Sequence, residues 1–529
     1  LVITDSEKDI IKIAEHSARG GYHLLLGNSL STAILAIASI IIARLLGPGD
    51  YGLFSLVIVV PSFFIGLVDL GVTSAITRFS AKYRAEGRNL EVENIIKTGL
   101  LFELIVGICV SLFCLLFSNF LATYLINRSE VSFYVRIASI LILLQTLSNT
   151  LNSIFIGLEK MSNNAITMII RAITKISLSP LFIILGLSIF GALLGQITCY
   201  VVGVIVGLVI LRFNIFKKPM RFKINTDILR ELLKFGLPLY VAGILGLIMS
   251  QYRTIVTAYF ASNVEIGNFQ VTSLFATAMS LLAQPFTALF PAFSKLDEEN
   301  SHLNQFFRRA VKYTAMIYIP LSVAIAVLSR DFVLTFFGPE YNLAPTFVSF
   351  SILIHLSAGL GSSVLRLLFN GLGRTDISLK VTTIHLLLLI PLAPLFSAFY
   401  GIMGVIAASI LSSLCSTVYS LRTAIKKIKV SLDFSTSLKI YLNSIISASF
   451  SLIFLHFSAL NPILNIISVG TLFFLIYLTL LPIIGIFNNT DIDLFRQLFH
   501  KIKGLWPLFN VLLLYESKVL ALKQKFQKK

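Results

Sequence analysis

Arg171 and Lys175 stand four residues apart inside a long apolar run, so on a helix both side chains leave the same face. An ionisable group at membrane depth is costly enough to be read as functional. Together the two cations make a patch suited to an anionic group such as phosphate. The competing reading is a buried structural ion pair with Glu103 or Glu159. A third intramembrane cation, Arg253, lies in Ser250-Gln251-Tyr252-Arg253-Thr254, which points to a polar face turned toward water or substrate, or to an arginine snorkelling outward. Arg44 closes the first apolar run, where substrate contact and headgroup anchoring are both open. Arg136 and Arg366 fall near span ends and read as interfacial. Asp69, in Val68-Asp69-Leu70-Gly71, is the one acid deep in the second run. It could bind a coupling proton or Na⁺, or form a salt bridge to Arg78 or to a neighbouring bundle.

Signatures of enzymes are sparse. No G-x-x-x-x-G-K-[ST] phosphate loop occurs, so a self-contained ATP-driven pump is not expected. The seven histidines are scattered, without the spacing that holds a metal, and no cofactor is expected beyond a coupling H⁺ or Na⁺. Asp491-Ile-Asp493 has the D-x-D form of metal-dependent glycosyltransferases, yet two acids opening an amphipathic helix are explained by capping and the helix dipole. A glycan polymerase or ligase would need a sizeable external loop, and the longest outer break, residues 330–343, is too short for one.

The elements that must hold these groups are membrane helices. Of the 529 residues 56% are hydrophobic and 13% charged, with mean hydropathy +0.88, which excludes an ordinary soluble protein. Runs of about 20 apolar residues separated by short polar breaks number about fourteen. The net charge of +18 could suggest nucleic acid, but the cations flank the apolar runs, a topology signal that also suits anionic headgroups, and no nucleic-acid partner is expected. Most Lys and Arg fall in the even-numbered breaks and the tails, while Arg44, Arg128 and Arg330 are the ones on the opposite side. Both termini are therefore expected in the cytoplasm. The first 21 residues are too polar and acidic for a signal peptide. Cys109, Cys114, Cys199 and Cys415 lie in apolar runs and read as free buried thiols.

The chain also repeats itself. Phe155-Ile-Gly157-Leu158-Glu-Lys160 matches Phe369-Asn-Gly371-Leu372-Gly-Arg374, and Asp50-Tyr-Gly52-Leu-Phe54 matches Glu265-Ile-Gly267-Asn-Phe269, at a spacing of about 214 residues. At that spacing His385 stands where Arg171 stands in the first copy, which makes it a further candidate for the cavity wall. Six spans repeat as six, so both copies enter the membrane in the same direction and would enclose a central cleft. The expected architecture is an all-α polytopic membrane protein of 14 transmembrane helices: residues 1–21 a cytoplasmic segment, 22–211 the first lobe, 212–234 a linker with seven Lys or Arg, 235–421 the second lobe, 422–487 two extra helices and 488–529 a basic amphipathic tail on the inner membrane surface. Pro61, Pro180, Pro285 and Pro394 can loosen helix hydrogen bonding.

Ala43-Arg44-Leu-Leu-Gly47-Pro48-Gly49-Asp50-Tyr51-Gly52-Leu-Phe54, with Asp69-Leu70-Gly71 and Arg78-Phe79 after it, resembles the opening of the polysaccharide transporter branch of the multidrug/oligosaccharidyl-lipid/polysaccharide exporter superfamily, the Wzx-like flippases. The Gly157-Leu158-Glu-Lys160 turn is similar to that family's pattern too. The resemblance implies a prokaryotic cytoplasmic-membrane flippase that moves a polyprenyl-linked oligosaccharide from the inner to the outer leaflet by alternating access. Its partners would be membrane lipids and the glycosyltransferases and polymerase of the same pathway. It places Arg44 and Arg253 in the cavity wall, formed by spans 1, 2, 7 and 8. Many relatives carry an Asp near the position of Arg253, and this chain departs from them there. Rival readings on the same fold are a cation-driven exporter of drugs or small solutes and a flippase for a peptidoglycan lipid precursor.

Overall fold

The computed structural model describes residues 5–214, 225–283, 289, 293–294, 301–500 and 506–527, with backbone alone up to residue 26. Among the described residues every regular element is helical. That follows from the composition: in hydrocarbon each backbone N–H and C=O must be satisfied within its own segment. Among the described residues eight helices are long and apolar enough to cross a membrane, or up to ten if each of two bent pairs is one span. Three of them, Gly27–Val68, Met161–Phe213 and Thr375–Ile428, run 42, 53 and 54 residues, about twice what one crossing needs. Each is interrupted by backbone at positive φ, at Gly47, at Gly186 with Ser188, and at Gly401. These breaks are consistent with the fourteen runs read in the sequence. The chain is a multi-pass membrane protein.

The chain divides into two compact units, residues 1–270 with 393–405, and residues 271–392 with 406–529. The first unit holds α1 (Asp5–Val68), α2 (Val72–Ala85), α3 (Asn89–Leu116), α4 (Ser132–Ala138), α5 (Ile140–Gly157), α6 (Met161–Phe182), α7 (Ser188–Asn214) and α8 (Thr226–Phe260), and the start of α9 (Asn263–Ala283). Its core gathers Ile76, Phe79, Ile95, Ile96, Ile154, Phe155 and Leu232 from α2, α3, α5 and α8. Of the basic linker, residues 215–224 lie outside the described residues, and its last part is already helix. Asn225 caps α8 by accepting from the backbone N–H groups of Asp227 (3.0 Å) and Ile228 (3.4 Å).

The second unit is built on α10 (Ser301–Val327), α11 (Ser329–Phe336), α12 (Ala344–Ile352), α13 (Ser362–Gly371), α14 (Thr375–Thr423), α15 (Phe434–Phe457) and α16 (Pro462–Ile483). Several buried serines on these helices donate their hydroxyls to carbonyls of the preceding turn, as Ser412 does to Ala408 and Ser444 to Ile440. The tail forms α17 (Asn489–His500) and α18 (Trp506–Gln527). Asp491 opens α17 as a cap, accepting from the Asn488 N–H (2.9 Å), and also takes Lys312 Nζ (2.6 Å) and the Tyr313 hydroxyl (2.7 Å) from α10. That ties the tail to protein. Residues 501–505 of the tail fall outside the described residues, as does Pro285. Of the cysteines, Cys114 and Cys199 are buried, whereas Cys109 and Cys415 are exposed, because an apolar run in a membrane also supplies the face turned to lipid.

The repeat seen in the sequence recurs in backbone conformation. After α5, Phe155 O accepts from Lys160 N (2.8 Å) and Ile156 O from Glu159 N (2.9 Å). After α13, Phe369 O accepts from Arg374 N (2.8 Å) and Asn370 O from Gly373 N (3.2 Å). Both are the same left-handed helix stop, with Glu159 at φ 54° and Gly373 at φ 74°. Ser188 (φ 41°, ψ −126°) and Gly401 (φ 54°, ψ −133°) are likewise alike.

Candidate functional site

Between α1 and α2 the helix is discontinuous. Leu70 (φ 45°) and Gly71 (φ 79°) both take the left-handed region, a conformation that costs Leu70 strain and Gly71 nothing. Asp69 holds the break in place. Its carboxylate accepts from the Thr73 N–H (3.0 Å) and the Thr73 hydroxyl (2.9 Å), and its carbonyl from the Val72 N–H (2.8 Å). Gly71 meets α8 backbone to backbone, since a Cβ added there would stand 2.7 Å from Gly236 Cα. Arg78 does not pair with Asp69. It lies over the ring of Phe235, 4.2 Å from the centroid, a cation–π contact. Glu103 of α3 comes to Asp69 instead, close enough for the two carboxyls to interact.

Arg171 and Lys175 share one face of α6, as their spacing requires. Arg171 donates to the Ser148 hydroxyl of α5 (3.2 Å) and stacks on Tyr200 of α7, 4.9 Å from the ring centroid. Lys175 adjoins Arg171 and Cys199. The structure gives Arg171 no carboxylate partner among the described residues, and Glu103 is engaged elsewhere. Arg44 on α1 and Arg253 on α8 are exposed. His385 is half-buried on α14 in the second unit. Arg171 and Lys175 stand together, with a hydroxyl and an aromatic face, while Arg44, Arg253 and His385 are carried on other helices.

Two features escaped the sequence reading. The repeated turns meet each other. A Cβ added to Gly52 would lie 2.9 Å from Gly267 N and 3.0 Å from Asn263 C, and one added to Gly267 would lie 2.7 Å from Pro48 C and 3.0 Å from Pro48 Cα. The contact is reciprocal, because Pro48 and Asn263, like Gly52 and Gly267, are equivalent positions 215 residues apart. Beside it Arg128 spreads its guanidinium over the end of α8. Nη1 donates to Ala258 O (3.0 Å) and Asn127 O (2.8 Å), Nη2 to Ala261 O (2.7 Å) and Nε to Asn263 Oδ1 (2.8 Å). Ala258 and Ala261 are carbonyls that a helix end leaves without internal donors. The signal in the sequence was Arg128 itself, one of few cations in the opposite-side breaks.

A model of the polysaccharide biosynthesis protein family matches residues 17–297, more than half of the chain. The chain belongs to this family. Among curated proteins it is 24% identical over 198 residues to the lipopolysaccharide biosynthesis protein WzxC of Escherichia coli, a match covering 37% of this chain and 40% of that protein. It is 21% identical over 306 residues to the succinoglycan biosynthesis transport protein ExoT of Rhizobium meliloti, covering 58% and 59%. An uncharacterized membrane protein of Methanocaldococcus jannaschii matches at 23% identity over 91% of this chain and 97% of its own length. Among solved structures the chain is similar in fold to the lipid II flippase MurJ in an inward closed conformation, with TM-score 0.70, 18% identity and coverage of 86% and 97%. It is also similar to a multidrug resistance transporter of the MATE family in an inward-facing conformation, with TM-score 0.64, 18% identity and coverage of 75% and 94%. This polysaccharide biosynthesis family member thus has the fold of the wider exporter superfamily.

Proposed function

We propose that the chain is a flippase for a lipid-linked oligosaccharide, carrying a polyprenyl-diphosphate glycan from the inner to the outer leaflet for assembly of a cell-surface polysaccharide or glycoprotein. The observation that carries this reading is the family match over residues 17–297, joined to relatives named for lipopolysaccharide biosynthesis and succinoglycan transport. The physical task is to bring a hydrated sugar and diphosphate across about 30 Å of hydrocarbon, where lost hydration is prohibitive. Cations in the transmembrane region lower that cost. Arg171 and Lys175, with Arg44, Arg253 and His385, are the groups that attract the diphosphate, and the exposed guanidinium of Arg253, without a partner among the described residues, is the one most open to it.

The protein sits in the cytoplasmic membrane with both termini inside. Residues 22–211 and 235–421 act as two lobes that rock about the 212–234 linker, with helices 422–487 and the tail 488–529 appended. Reciprocal packing of Gly52 and Gly267 with the fork of Arg128 supports a seal at the outer side, where these breaks fall in that topology. Glycosyltransferases and a polymerase supply and consume the glycan.

The test is deletion in the native host followed by complementation. Loss of the chain should leave the lipid-linked glycan on the inner leaflet, and the wild-type chain should restore its export. Normal export in the deletion strain, with no other transporter induced, would overturn the reading.

A further inference from the structure

Charge without a counter-charge collects where α14 leads into α15. From Arg422 to Leu432 the chain carries four cations and no acid: Arg422, Lys426, Lys427 and Lys429, all exposed. None of the four has a carboxylate partner among the described residues. The next acid, Asp433, is committed elsewhere: it accepts from the Thr436 N–H (3.1 Å) and hydroxyl (2.8 Å) and pairs with Arg308 of α10 (3.3 Å). The segment is anchored, so its cations are displayed from a fixed frame. Ala424, Ile428, Val430 and Leu432 turn inward into a core with Phe307, Val311 and Phe369, and Ser431 donates its N–H to Asn304 Oδ1 (2.7 Å). The wide turn Ala424–Ile428 ends in Lys429 at φ 59°, ψ 26°, in the left-handed region. Glycine takes that conformation without strain and lysine does not, so the position gives up backbone ease for a charge.

What this patch faces is set by the helices on either side. Leu411, Leu414 and Val418 of α14 are exposed, and at spacings of three and four residues they run into Arg422 and Lys426 on the same face. Beyond the turn, Phe434, Leu438 and Leu442 open the exposed apolar face of α15. Both faces belong to segments long and apolar enough to cross a membrane. They therefore meet acyl chains, and the cations stand where the apolar stripe ends, at the depth of headgroups. A water-soluble acidic partner would leave those apolar margins uncovered.

We propose that Arg422, Lys426, Lys427 and Lys429 form a binding site for the headgroup of an anionic phospholipid, whose acyl chains lie along the exposed faces of α14 and α15. Arg422 and Lys426, about one turn apart, hold the phosphate, the guanidinium as a fork and the ammonium as a point charge. Lys427 and Lys429 add the attraction that favours a net negative headgroup over a zwitterionic one. Cations held in advance lose little freedom when the anion arrives. Neither the glycan nor its movement enters the argument, so the site stands or falls apart from the transport reading.

The experiment is native mass spectrometry of the purified full-length protein in neutral detergent, titrated with phosphatidylglycerol or phosphatidylcholine. The wild type should bind phosphatidylglycerol roughly tenfold more tightly or better, with the preference falling as salt rises. Glutamine at all four positions should erase the preference. Lys426→Gln with Lys427→Gln, which leaves the strained turn alone, should lower it severalfold. A control that removes as much charge from exposed sites of the first unit, Lys82→Gln, Arg84→Gln, Arg88→Gln and Arg230→Gln combined, should keep it. Thermal melting checks that each variant folds, and if the fourfold variant does not, the double variant decides. A wild type without preference overturns the proposal, and an equal loss in the control overturns it in favour of net charge alone. Displacement of phosphatidylglycerol by an equal concentration of inorganic phosphate overturns it in favour of a plain phosphate site. Displacement by an equal concentration of a polyprenyl diphosphate, with inorganic phosphate inert, overturns it in favour of a site for the carried lipid.

Discussion

Replacing Gly52 by alanine should open the contact between the two repeated turns, and Gly49 supplies an internal control. A methyl at Gly52 would sit 2.9 Å from Gly267 N and 3.0 Å from Asn263 C, nearer still to the Asn263 carbonyl oxygen, where ordinary contact begins at 3.4 Å. All these atoms are backbone, so no rotamer change relieves the clash. The turns must part by at least half an ångström, about the displacement that costs 1–3 kcal/mol in other overpacked sites. At about 1.4 kcal/mol per tenfold, the closed arrangement should lose roughly 5- to 150-fold in population relative to any arrangement that separates the turns. At Gly49 the added methyl meets only Val264 Cγ2, at 3.8 Å, and should cost nothing comparable. Spin labels placed on Asp50 and Glu265, in a background freed of the four native cysteines, would report the separation in liposomes. A longer distance in Gly52→Ala with no change in Gly49→Ala is the expected pattern. Unchanged distances in Gly52→Ala, in a protein that still folds, would refute the idea that backbone approach at the glycines closes this side.

Other substitutions probe the same frame. Arg128→Ala should destabilise the closed turns by about 1–3 kcal/mol by stripping donors from Ala258 O and Ala261 O, and Arg128→Lys should restore little because an ammonium cannot span those acceptors. The same spin-label distance reads both. Arg253→Glu should cut glycan export at least tenfold while leaving expression and melting temperature unchanged, since the side chain is exposed. Unimpaired export would remove Arg253 from the substrate path. Glu516 of α18 is 3% exposed, and burial pushes its carboxyl up to about 8. The docked helix therefore keeps a proton that an undocked one releases near its ordinary value of about 4.3, so docking is strongest below that value and weakens as pH rises toward 8, by up to about 1 kcal/mol per unit. Hydrogen exchange along α18 should speed up with pH beyond the intrinsic rate, and Glu516→Gln should abolish that excess.

What could be read in advance follows from what a sequence records. Gly157-Leu158-Glu-Lys160 and its copy were legible because a left-handed stop at a helix end demands the same few residue types wherever it occurs. The apolar runs were legible because a membrane sets their length. The partner of Glu103 was not. Glu103 and Asp69 lie on different helices, and in a span apolar all round no periodicity says which face meets which neighbour, so an ion pair with Arg171 or Lys175 looked equally open. Arg128 was hidden for another reason: its acceptors are main-chain carbonyls, and a carbonyl leaves no trace in residue type.

The glycines of the repeated turns carry the argument one step further. In a structure built from two equivalent copies, residue i of one touching residue j of the other, with j touching i in return, marks a place through which the two-fold axis passes. Gly52 meets Asn263 and Gly267 meets Pro48, the same pair of positions taken in both directions. In the proposed topology, with both copies inserted in the same direction, that axis would run along the membrane normal. A contact made of bare backbone has no side chain to swing aside. It can open only by moving the helices that carry it, and that is why a single methyl group at Gly52 is expected to act on transport as strongly as the loss of a substrate-binding cation.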